Sequence, residues 1–100
     1  MSFSNIQSVR KTAAAAAVSG RTRLLGVYFT HTATSATITL KDGSTSGGTA
    51  KLTLTSPAAI GSQDLIIPDM GILFESGIYI DLSSAEITSV TLLFEGGAPA

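Results

Sequence analysis

The sequence predicts an all-β fold: an antiparallel β-sandwich, jelly-roll-like, of about seven or eight short strands behind an N-terminal arm. Three observations carry this. Apolar and polar residues alternate with period two in several runs after Leu24. Gly and Pro interrupt these runs at spacings of about 8–12 residues. No helical period competes over the same stretch.

The runs follow in order. Leu25, Val27 and Phe29 alternate with Gly26, Tyr28 and Thr30. Thr37-Ile38-Thr39-Leu40-Lys41 and Lys51-Leu52-Thr53-Leu54-Thr55 alternate strictly. Ile78, Ile80 and Leu82 alternate with Tyr79 and Asp81, and Val90, Leu92 and Phe94 with Thr91, Leu93 and Glu95. Successive strand residues face opposite ways, so each run has an inner and an outer face. Thr dominates the outer positions, where a β-branched side chain suits a pleated surface. The runs Leu65-Ile66-Ile67 and Ile72-Leu73-Phe74 read as buried strands between turns.

The separators agree. Asp42-Gly43 and Gly47-Gly48 permit positive φ, making LKDGSTSGGTAKLTL a β-hairpin with a loose tip. Pro57 and Pro68 cannot donate ladder hydrogen bonds and belong outside central strands.

Residues 1–19 form the expected arm, ahead of a sandwich over residues 20–97. Two conformations fit the arm. Ser4-Asn5-Ile6-Gln7 matches a capping box, residues 13–17 are alanine, and Gly20 suits a helix end. Alternatively the arm is extended, residues 13–19 pair as a first strand, and Ser19-Gly20 turns the chain into the next. The extended form is preferred, because a free helix of this length is marginal in water. Ordering such an arm costs about 1–2 kcal/mol per residue in backbone entropy, so an ordered arm implies backbone pairing or a neighbouring subunit.

The chain has 100 residues, which suits one domain. It has no Cys, which removes disulfides and thiolate ligands. Charged residues are only 13%, against roughly 25% in typical soluble domains. A surface so poor in charge suggests that neighbours cover part of it. Six basic residues and one acid give +5 over residues 1–51, and six acids give −6 over residues 52–100. Folding either separates these halves into complementary patches or interleaves and cancels them. No apolar run reaches the roughly 20 residues of a membrane span, and no signal-peptide pattern precedes one. The expectation is a chain without membrane contact, not exported by the usual route.

Catalytic chemistry has little to stand on. His31 is the one histidine and sits where a strand should end. No nucleophile-elbow sequence surrounds any serine. The acids are scattered, and Glu75 and Asp81, the nearest thing to a glycosidase pair, occupy polar strand positions. Asp42 alone falls far short of the six to eight oxygens that calcium takes. The Gly43 to Gly48 segment lacks the Lys-Ser/Thr ending of a phosphate loop. Arg10, Lys11, Arg21 and Arg23 could touch phosphates, but Tyr28 and Tyr79 do not interleave with them, so nucleic acid is not expected. The expectation is a protein that is no enzyme and holds neither cofactor nor metal.

Gly20-Arg21-Thr22-Arg23-Leu24-Leu25-Gly26-Val27-Tyr28-Phe29-Thr30 leads to Ser35-Ala36-Thr37-Ile38-Thr39-Leu40-Lys41-Asp42-Gly43. Gly71-Ile72-Leu73-Phe74, Gly77-Ile78-Tyr79-Ile80-Asp81-Leu82 and Val90-Thr91-Leu92-Leu93-Phe94 follow. In this order the segments resemble the small β-sandwich virion proteins of tailed bacteriophages, with their RLxGVYxT strand, ITLKDG hairpin and GxLF…GxYVDL pair. The likeness covers about residues 20–95. It departs at Phe94, where that group often has Tyr, and in the alanine-rich lead-in.

The resemblance implies a structural virion component made in the host cytoplasm, a capsid decoration (cement) protein. Such proteins sit on the shell as homotrimers and bind the major capsid protein. The alternative within the same resemblance is a tail, neck or fibre component that binds receptors or glycans, with Tyr28 and Tyr79 as outward aromatics. The expected interface lies in the arm and its bases: Ile6, Val9, Arg10, Lys11, Val18, Arg21 and Arg23.

Overall fold

A computed structural model describes residues 6–100. These form eight strands and no helix: β1 (Ile6–Lys11), β2 (Ala15–His31), β3 (Thr37–Asp42), β4 (Thr49–Thr55), β5 (Gly61–Ile66), β6 (Ile72–Phe74), β7 (Gly77–Leu82) and β8 (Ile87–Pro99). All pairings are antiparallel, and the strands join into one sheet in the order β1-β8-β2-β7-β3-β4, with β5 and β6 also beside β2.

This sheet doubles back on itself at glycines. β2 runs for 17 residues and β8 for 13, longer than the short strands expected. Residues 15–19 of β2 pair with β7, whereas residues 22–31 pair with β6, β5 and most of β8. Gly20 has φ 84°, and opposite it Gly96 and Gly97 have φ 79° and 64°. Residues without a Cβ enter this region readily, so both long strands bend side by side and pass from one layer to the other. The first layer is β1-β8-β2 with β5 and β6, and the second is β4-β3-β7 with the start of β2. A smallest extent of 19 Å suits two sheets about 10 Å apart with their outer side chains.

One core lies between the layers. The first layer supplies Leu24, Val27, Phe29, Phe74, Ile87, Val90, Leu92 and Phe94, and the second supplies Ala17, Val18, Ile38, Leu40, Ile78 and Ile80. The alternation read in β3, β7 and β8 puts the expected residues inside. In β4, Leu52 and Leu54 pack half-buried on the same core.

Several expectations are corrected. Ser19-Gly20 is a bend within β2, not a turn between strands. Residues 15–19 are extended and pair with β7, as the preferred form of the arm has it, and residues 6–11 also join the sheet by pairing with β8. The capping-box reading begins at Ser4 and Asn5, which lie outside the described residues. Leu25 was expected inside. The register slips between Leu24 and Gly26, so Leu24 fills the core and Leu25 is half-buried. This is a β-bulge, where one extra residue resets the alternation. Leu65-Ile66-Ile67 is not a buried strand either: β5 is an exposed ribbon with Ile66 67% exposed.

Candidate functional site

The outward face of the first layer carries the most unusual surface among the described residues. Its composition follows from register, because paired residues in an antiparallel sheet share a face. One row across the strands is Arg10, Thr91, Tyr28 and Asp64. The next is Ser8, Leu93, Gly26 and Ile66, and beyond the bulge comes Ile6, Glu95, Arg23 and Leu73.

The middle of this face is apolar. Tyr28 is 47% exposed, Leu93 36% and Ile66 67%. Gly26 lets the last two converge: a Cβ at position 26 would meet Leu93 Cδ1 at 3.4 Å and Ile66 Cδ1 at 3.5 Å. The two side chains therefore close over the glycine into one ridge. At one end lies an open groove of about 820 Å³, lined by Ile6, Arg21, Arg23, Met70, Leu73 and Glu95 among others. Met70 stands 67% exposed at its rim, held out by a turn in which the Gly71 amide donates to the Pro68 carbonyl at 3.2 Å.

The expected interface residues divide. Ile6, Arg21 and Arg23 come together in the groove, and Arg10 lies on the same face two rows away. Val9 turns inward and packs half-buried on the core. Lys11 donates from Nζ to the Ala100 carbonyl at 3.2 Å. Val18 is corrected: at 1% exposure it is a core residue with no surface to offer. The ridge partners Leu93 and Ile66 and the acids Asp64 and Glu95 were missed. Leu93 had a legible signal, an apolar residue at an outer strand position, whereas Ile66 was masked by its apolar neighbours.

The remaining candidates for chemistry lie apart. His31 is 4% exposed, its Nδ1 donates to the Thr32 carbonyl oxygen at 3.2 Å, and its Nε2 is buried without a hydrogen-bond partner among the described residues. Its ring centroid is 5.8 Å from that of Phe29. The Asp42 carboxylate accepts the Glu75 and Ser76 amides. Asp81 accepts from Lys41 Nζ at 2.8 Å, and that ammonium also reaches the Ser46 carbonyl in the hairpin tip. Among the described residues, no three His, Asp or Glu side chains gather closely enough to hold a metal ion. No helix of the described residues is long and apolar enough to cross a membrane.

No protein family, no curated protein and no solved structure matches the chain.

Proposed function

We propose that this chain is a non-enzymatic structural protein of a bacteriophage virion: a capsid decoration protein that associates with its own copies and binds the major capsid protein. The observation that carries this reading is the outward face of the first layer. A two-layer core presents an apolar ridge flanked by charges that form no salt bridge among the described residues, a surface suited to protein contact. The low charge content and the sequence likeness over residues 20–95 support the same reading. The trimer implied by the likeness is one form such self-association can take.

Catalysis is no part of this reading. The one histidine is buried against Phe29 and the Thr32 carbonyl, and the acids serve local hydrogen bonds or stand singly. The tail or fibre alternative keeps one observation in its favour, the exposed Tyr28 ring; Tyr79 is half-buried.

Imaging shells of the parent virion after adding gold-labelled protein tests the assignment. Label at capsomer positions is expected. Label confined to the tail or neck moves the protein to the alternative, and no label on any particle removes both.

A further inference from the structure

We propose that the outward face of β1-β8-β2-β5 is a self-complementary contact between two copies of this chain. The copies are related by a two-fold axis in the contact plane, nearly parallel to the strands, between β8 and β2. The inference deepens the self-association in the functional reading, and it is tested on purified protein, so it fails or stands separately from shell binding.

Charge order across the strands carries the proposal. The sequence concentrates bases in its first half and acids in its second. The topology shuffles them: β1 and β2 come from the basic half, β8 and β5 from the acidic half, and their spatial order is β1-β8-β2-β5. The outward charges therefore alternate, with Arg10 on β1, Glu95 on β8, Arg23 on β2 and Asp64 on β5. Among the described residues none of these four takes part in a salt bridge within the chain. Arg10 and Asp64 lie three strand spacings apart, about 14 Å, so they do not meet in one copy.

A pattern of plus, minus, plus, minus reverses sign about its midline. A two-fold along that midline lays β1 over β5 of the second copy, and β8 over its β2. Arg10 then faces Asp64 of the second copy, and Glu95 faces Arg23 of the second copy, each pair occurring twice. Each pair shares one row of the sheet, so the register along the strands agrees as well. An axis tilted about 15° from the strands gives the roughly 30° at which sheets stack, an offset that long arginine side chains span.

The apolar residues sit where such an axis needs them. Leu93 and Tyr28 flank the midline, and Ile66 leans toward it over Gly26. Twofold packing buries both ridges together, ringed by the four ion pairs, which is the usual anatomy of an isologous contact. Four strands span only about 19 Å, which places the contact at the small end of stable interfaces. The dimer should thus dissociate on dilution, with Kd on the order of micromolar.

Sedimentation equilibrium of the full chain, across a concentration series, tests this. The expected limiting mass is twice the 10.2 kDa of the chain. Arg10→Asp and Asp64→Arg should each weaken association about tenfold or more, and the double variant should recover most of the loss, because exchanged charges meet exchanged charges. Leu93→Asp should leave a monomer with an unchanged β spectrum. A wild-type monomer or trimer overturns the proposal, and so does a double variant no better than its singles.

Discussion

Asp42 Oδ1 accepts the Ser76 amide at 2.8 Å, and Oδ2 of the same carboxylate accepts the neighbouring Glu75 amide at 3.1 Å. One acid of the β3–β4 hairpin thereby fixes the turn between β6 and β7. The connection is reinforced by the Gly43 amide, which donates to the Gly77 carbonyl at 3.1 Å. The loop is an anchor for a distant turn. Replacing Asp42 with Ala should cost about 1 kcal/mol, since charge-assisted bonds at an exposed site are worth less than buried ones. Urea unfolding of the variant measures it.

Gly77 begins β7 with φ 118°, and a Cβ there would overlap the Val18 carbonyl oxygen. Gly77→Ala combines backbone strain with a clash against main chain that cannot swing aside. The expected loss is about 2–4 kcal/mol. Thermal unfolding should register it as a fall in Tm of roughly 4–8 °C per kcal/mol.

Ser56 is 2% exposed, and its Oγ accepts the Ala36 amide at 2.9 Å. Ser56→Ala leaves that buried amide without this acceptor, a loss of about 1–3 kcal/mol. Ser56→Thr retains the hydroxyl and should lose less, provided the extra methyl is accommodated. Comparing the two by denaturant midpoint separates hydrogen bonding from packing.

Val18 and Arg21 both belong to the interface that the sequence suggests, and the structure parts them. Val18→Ala opens the core and should cost about 2 kcal/mol. Arg21→Ala, on the groove wall, should change stability by no more than about 0.5 kcal/mol while weakening binding to shells. Chemical denaturation together with a shell pull-down tells the two classes apart.

β1 is an edge strand over β8, with Gln7 Nε2 donating to the Gly97 carbonyl at 3.4 Å and Val9 packed on the core. Deleting residues 2–12 should keep a β spectrum but uncover the β8 edge. Bare edges pair with other chains, so the truncated protein should aggregate where the full chain does not. Circular dichroism with light scattering checks both halves of this expectation.

The strands most legible in the sequence are those whose alternation is local and unbroken. Thr37 to Lys41, Lys51 to Thr55, Ile78 to Leu82 and Val90 to Phe94 each show one apolar face, and each lies as read. What the sequence hid depends on distant partners. The bulge at Leu25 exists because β8 pairs differently on either side of it. Gly20 reads equally well as a turn or a bend until Gly96 and Gly97 are seen opposite. Leu65-Ile66-Ile67 looks doubly buried, yet β5 lies on the far side of β2 from β8 with its faces mostly open. The alternating charges of the outward face need the order β1-β8-β2-β5, which no local pattern encodes.

Quantitative mass spectrometry of purified parent particles bears most directly on whether this chain is a shell component. Copies on the order of hundreds per particle are expected, because a closed symmetric shell offers many equivalent positions. About a dozen copies or fewer, or none in the particle, would contradict a place on the capsid.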